Sequence, residues 1–161
     1  MYENIMVALD ESESSQRALD EAIRIGKGSA ATVRAVFVGD AAALASYPVR
    51  YRSEVFSNAR RMLESAEERL RAAGMKCETQ LLETQTTTDS VAQCLQRCAA
   101  QTPTDLVVMG THGRAGVRRL VRGSVAETFL RQSTCPVLLV RSLPQTSAEL
   151  ACHIGSKVTV I

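Results

Sequence analysis

The sixteen residues from Gly110 to Val125, GTHGRAGVRRLVRGSV, hold four glycines, four arginines and no acid. They follow the apolar run DLVVM and lead into a segment with helical patterning. Glycine lets a backbone approach a ligand closely and adopt positive φ. A helix start presents unpaired N–H groups and roughly half a positive charge, which favours phosphate. Arg114, Arg118, Arg119 and Arg122 add positive potential nearby. The chemistry of the stretch is that of an anionic, phosphorylated ligand. It is not a P-loop, because no Gly-Lys-Ser/Thr occurs, and it does not fit G-x-G-x-x-G. Two features also have readings that need no ligand. Ser124 and Glu127 form S-x-x-E, a helix capping box, and Arg118 and Arg119 read as a solvated face.

Other chemistry is thinly represented. His112 is the only histidine near the glycines, and no serine or cysteine nucleophile has an evident partner. No acidic pair stands near the glycine loop to hold a metal or act as a base. Cys94 and Cys98 are four apart, and with Cys77 and His153 they suggest a zinc site. The C-x2-C spacing that would support one is missing. Buried free thiols are the expectation.

The elements around these residues alternate. NIMVALD (Asn4 to Asp10) reads as a buried strand. Ala18, Leu19, Ala22 and Ile23 then fall at helical spacing, with Ser12 or Ser14 as N-cap. Ala31 to Val38 is a second strand, and Gly39 to Ser53, with Pro48, is expected to be irregular. Ala59, Met62, Leu63, Ala66, Leu70 and Ala73 mark one face of a long helix that Gly74 is placed to end. Lys76 to Glu83 is a more polar third strand. Asp89 is expected to cap a helix carrying Val91, Leu95, Cys98 and Ala99. Asp105 to Met109 is a fourth strand, Val125 to Arg131 a helix, and Pro136 to Val140 a fifth strand. Strand and helix in alternation predict an α/β fold, an open doubly wound parallel sheet with helices on both faces. Ligands of such sheets sit beyond the carboxyl ends of the strands, where strand order reverses. Gly110 lies at one such end.

Gly110, two residues, Gly113, nine residues, then Gly123-Ser124 is the pattern G-x2-G-x9-G-S/T. Together with IMVALDESESS, VVMGTHG and GSVAETFLRQSTCPVLLV, it resembles the universal stress protein family over roughly residues 2 to 141. The resemblance implies a Rossmann-like five-stranded sheet in the order 3-2-1-4-5, ATP as ligand, alone or with Mg2+, and a homodimer. It also implies roles. Asp10 would bond the ribose hydroxyls, a carboxylate being able to accept two such bonds. The rival reading of Asp10 is a cap for the next helix. Ala8 and Leu9 would line the base, the backbone of Val38 would meet adenine, and Met109 would form another wall. Gly110, Gly113, Gly123, Ser124 and Val125 would cradle phosphate, with His112 and Arg114 between the glycines.

The whole chain sets bounds on these readings. Its 161 residues suit one domain, assigned here to residues 1–142, with 143–161 as an extension ending in a candidate short strand, KVTVI. A net charge of +2 is too small to argue for a nucleic-acid partner, and none is expected. No apolar run approaches a membrane span. Five cysteines at irregular spacing and an N-terminus without a basic region lead to the expectation of a reducing, cytoplasmic setting. The favoured function is an ATP-binding, nucleotide-responsive regulatory or stress-resistance protein with an unidentified protein partner. The alternative is a slow ATPase or an adenylyl- or phosphoryl-transfer enzyme using the same pocket. The homodimer is expected through the fifth strand, Pro136, Val137, Leu138, Leu139 and Val140, whose apolar run forms an edge in the 3-2-1-4-5 order.

Overall fold

The computed structural model describes residues 1–86, 88–111 and 124–142. Five strands form one parallel sheet: β1 (Asn4–Ala8), β2 (Thr32–Gly39), β3 (Lys76–Glu83), β4 (Leu106–Gly110) and β5 (Val137–Val140). Their order is β3-β2-β1-β4-β5, as the resemblance implied. Register pairs Ala8 with Val36 on one side and with Met109 on the other, which places β1 at the centre.

The central strands read as continuous apolar runs because both faces are covered. Ile5, Val7 and Leu9 alternate onto one face with Val33, Ala35 and Phe37. There they meet α1 (Glu13–Lys27) through Ala18, Leu19 and Ala22, and α3 (Val49–Ala72) through Ala59, Leu63, Ala66 and Leu70. Met6, Val36, Val107 and Met109 face the other way, onto α4 (Val91–Gln101) and α5 (Ser124–Gln132) through Ala92, Leu95, Ala126 and Phe129. The period-2 alternation of the strands sorts one run of residues into two cores.

Several boundaries differ from the sequence reading, each for a local reason. β1 stops at Ala8, two residues before Asp10. The segment Gly39 to Ser53 is not wholly irregular. It holds α2 (Ala41–Leu44), whose alanines are strong helix formers capped by the Asp40 carboxylate, which accepts from Ala43 N at 3.0 Å. It also holds the first turn of α3, which opens behind Pro48. That turn is hard to read because Val49 and Tyr51 are exposed and break the apolar period. Asp89 does not cap α4. Ser90 does, with a full capping box: its hydroxyl accepts from Gln93 N at 3.2 Å, and its own N–H donates to Gln93 Oε1 at 2.9 Å. Gly74 closes α3 at φ +75°, with open space around it, so its glycine is required by conformation.

The carboxyl end of the sheet is tied down by backbone bonds. Leu9 N donates to Val36 O at 2.8 Å, and Thr111 N to Val140 O at 2.9 Å. Buried Thr84 donates its N–H to Gly39 O at 3.0 Å and accepts from Ala41 N on its hydroxyl at 2.9 Å. These bonds join the loops after β2 and β3 and fix the rim beside Val38. Among the described residues, no helix is long and apolar enough to cross a membrane.

Candidate functional site

Three strands end together at the point where the chain order reverses, β1 running out beside β2 and β4. On the α4–α5 face, burial changes along these strands. Met6 and Val36 are 0% exposed, whereas Ala8 and Val38, two residues further on, are only half-buried. Ala8, Val38, Met109 and Val125 all belong to or pack against the same apolar cluster. Four of the residues expected at a base or phosphate site therefore share one face at the carboxyl end. Leu9 does not share it. Strand alternation turns its side chain into the opposite core, with Ile5 and Val7, so any contact of Leu9 with a ligand on this face falls to its main chain.

Asp10 stands on the loop between β1 and α1 and is half-buried. It does not cap α1; Ser12 does, accepting from Ser15 N at 3.2 Å. The Asp10 carboxylate takes an Asx turn instead. Its Oδ1 accepts from Ser12 N at 2.9 Å and also from the Ser12 hydroxyl. The buried Ser15 hydroxyl braces the same loop, accepting from Asp10 N at 3.1 Å and lying 2.6 Å from Asp10 O and 3.0 Å from Ser12 O. The sequence reading offered Ser12 as a cap but missed Ser15 and the link to Asp10. The signal was present in D-E-S-E-S-S, an acid two residues ahead of a helix cap.

Gly110 calls for a correction. Positive φ was expected there, but Gly110 is an ordinary strand residue in β4, paired in register with Val140; the glycine at positive φ among the described residues is Gly74. Its missing side chain serves space. A Cβ at Gly110 would stand 2.9 Å from both the carbonyl carbon and the Cβ of Ser14, and closer still to the Ser14 hydroxyl oxygen. The close approach is made by the first turn of α1.

Beyond β3, Asp89 forms a two-pronged ion pair with Arg97, at 2.8 and 2.6 Å, and accepts from Gln85 N at 2.8 Å. The guanidinium, then the backbone bond, hold its pKa down at about 2. Arg97 is thereby committed to a structural partner. Burial pushes the Cys94 and Cys98 thiols up, away from reactive thiolate. Their sulfurs lie 3.7 Å from Glu83 O and 3.3 Å from Gln80 Oε1.

His112, Gly113, Arg114 and Gly123 lie outside the described residues, as do Arg118, Arg119, Arg122, Cys152, His153 and the 143–161 extension. Ser124 opens α5. Glu127, read as half of a capping box, pairs with Arg131 at 2.8 Å.

A model of the universal stress protein family matches residues 1–141. The chain belongs to that family. Universal stress protein MJ0531 of Methanocaldococcus jannaschii is 32% identical over 148 residues, covering 88% of this chain and 83% of its own. A universal stress protein family member from Burkholderia pseudomallei, known as a crystal structure, is 32% identical with a TM-score of 0.70, over 88% of this chain and 97% of its own. A universal stress protein crystallised in complex with cAMP is 26% identical, with a TM-score of 0.64, over 87% and 97%. The two solved relatives thus share the doubly wound sheet described above along nearly all of their length, and one of them was crystallised with an adenine nucleotide.

Proposed function

We propose that this chain binds an adenine nucleotide, ATP alone or with Mg2+, at the mouth formed by β1, β2, β4 and α5. In this reading it acts as a nucleotide-responsive regulatory or stress-resistance protein within one domain, residues 1–142. The observation that carries the reading is the grouping of Ala8, Val38, Met109 and Val125 on one partly open face, with the Asp10 carboxylate on the adjoining loop. Apolar residues from separate strands suit the flat faces of a base, and a carboxylate suits a ribose diol. The cAMP complex of a relative supports the same ligand class. Ala8, Leu9 through its main chain, Val38 and Met109 line the base in this proposal, and Asp10 takes the ribose. Gly113, Gly123, Ser124 and Val125 take the phosphates, with His112 and Arg114 beside them and Gly110 shaping the start of that loop. The chain works in the cytoplasm as a homodimer through β5, with a protein partner that reads the bound state.

Calorimetry of the purified protein with ATP and GTP tests this. ATP is expected to bind more tightly than GTP, because the main chain at Val38 reads the adenine edge. Asp10→Ala is expected to weaken ATP by about ten-fold or more, the loss of a charge-assisted hydrogen bond. Equal affinity for the two nucleotides, or unchanged ATP affinity in the variant, overturns the assignment.

A further inference from the structure

The loop from Asp10 to Ser15 contains more hydrogen-bonding machinery than a helix start needs. One capping hydroxyl suffices for that. Here three serines act together, and two of them, Ser14 and Ser15, are almost wholly buried. The direction of the bonds can be worked out. Ser12 has one hydroxyl hydrogen, and its oxygen lies against Asp10 Oδ1, which as a carboxylate only accepts. The Ser12 hydrogen is spent there. The Ser14 hydroxyl lies 3.2 Å from the Ser12 oxygen. Ser14, Ser12 and Asp10 thus form a chain of contacts that ends on a negative charge.

The chain also has a fixed far end. Ser14 is 0% exposed and packed against Gly110, so closely that no Cβ fits between them. Gly110 is the first residue of the glycine-rich stretch, and its strand pairs with β1 through Met109 and Ala8. The first turn of α1, beside the loop bearing Asp10, therefore meets the end of β4 at Gly110 through one serine.

We propose that Ser12 and Ser15 are positioning residues that hold the Asp10 carboxylate for a ribose diol. This rests on the nucleotide-binding reading given above. Ser12 loads Oδ1 with two hydrogens, one from its N–H and one from its hydroxyl. That fixes the rotamer and turns Oδ2 to the ligand's hydroxyls. Ser15 fixes the backbone on either side of Asp10. The consequence is specificity for ribose over deoxyribose, because the gain from a held carboxylate is realised only when a 2′-hydroxyl is present to meet it.

The test is calorimetry of the full chain with ATP and with 2′-deoxy-ATP, for the wild type and for Ser12→Ala, Ser15→Ala and Ser12→Thr. The wild type is expected to prefer ATP by about ten-fold, the worth of one hydrogen bond to a charged group. Ser12→Ala and Ser15→Ala are expected to bring the ratio close to one, mainly by weakening ATP. Ser12→Thr keeps the hydroxyl and should keep the ratio. A purely structural role would weaken both ligands alike and leave the ratio untouched. Should Ser12→Ala fail to fold, Ser12→Gly replaces it, since glycine caps a helix nearly as well. Folded variants with the wild-type ratio overturn the positioning role while leaving the pocket in place. A wild type that binds both nucleotides equally does the same. A wild type that binds neither overturns the pocket and the positioning role together.

Discussion

Gly110 shows how a glycine marked by a ligand motif can also have a task in the protein's own packing. The sequence marked it as the first glycine of a phosphate loop, and the resemblance to a known motif gave it a ligand to touch. The structure sets it against Ser14. The two explanations predict different behaviour without ligand. If the glycine served only a nucleotide, Gly110→Ala would leave the empty protein as stable as before. Because its Cβ would meet the backbone and side chain of a buried serine, the variant should lose ~1–3 kcal/mol in the nucleotide-free state, the usual cost of forcing atoms into a packed site. Urea denaturation of ligand-free protein reads this directly, and an unchanged midpoint would return Gly110 to the ligand. Asp89 is a second case of a residue with a different task. It was expected to cap a helix and is instead clamped by Arg97. Its pKa in the folded protein is about 2, below the ordinary 3.8. A carboxyl with a depressed folded pKa stabilises the fold above the unfolded value, and that contribution drains away as pH falls from 3.8 towards 2. Arg97→Gln should move the Asp89 midpoint upward in an NMR titration and make the protein less resistant to acid. The stability gap between variant and wild type should close below about pH 2. A midpoint that stays near 2 in the variant would mean that the backbone bonds alone hold it there.

At the scale of elements, legibility followed burial. The strands were readable because β1, β2 and β4 are covered on both faces and so appear as largely apolar runs, with Arg34 the one charge inside β2. β3 was read to its exact ends, although it is polar, because Gly74 stops the helix before it and the run Lys76–Glu83 is free of turn residues. The helices α1, α4 and α5 announced themselves by one apolar stripe each. What escaped was the region where side chains face water. α2 buries none of its residues, and α3 begins with Val49, Arg50 and Tyr51 all exposed, so no period marks either start. Capping went astray at Asp89–Ser90 because two adjacent residues can both cap, and only the position of Gln93 three residues after Ser90 decides between them. The site was legible to the same degree. Strand ends pointed to the mouth, and the resemblance to the family, not the side-chain pattern, supplied Ala8, Val38 and Met109. The direction of Leu9 could have been derived as well, since it is one residue past Ala8 and must face the other way. The serine network was signalled only in part: D-E-S-E-S-S marks an acid ahead of a helix cap, but the partner of each hydroxyl depends on loop geometry that a sequence does not display.

The whole molecule presents two sheet edges of different character. β3 exposes Lys76, Glu78 and Glu83, charges that discourage another strand from pairing. β5 has no charge from Val137 to Val140. Its hydrogen-bonding parity can be derived. The carbonyls of Pro136 and Val140 accept from β4 and the residue that follows it, namely from Val107 N and Thr111 N, each at 2.9 Å. In an extended strand the N–H and C=O of one residue point to the same side and those of the next point opposite. Pro136, Leu138 and Val140 therefore face β4, and Val137 and Leu139 direct their N–H and C=O groups outward. An apolar strand with outward groups at 137 and 139 is suited to pair with a second copy of itself, antiparallel across a two-fold axis. Leu139→Pro removes an outward donor while sparing every bond to β4, so it should lower the dimer fraction; its side chain also packs against the α4–α5 core, so circular dichroism must show that the monomer stays folded. Leu138→Lys should also weaken association by placing a charge at the seam, but Leu138 packs into the α1–α3 core, and its effect must be separated from lost stability by circular dichroism. In sedimentation at tens of micromolar the wild type should run as a dimer and Leu139→Pro chiefly as a monomer of native secondary structure. A chain ended at Ser142 should remain dimeric, because the pairing groups all lie before that residue. A monomeric wild type, or a Leu139→Pro variant that stays fully dimeric, would mean that β5 is not the seam. A dimer lost on truncation at Ser142 would place the seam in the extension.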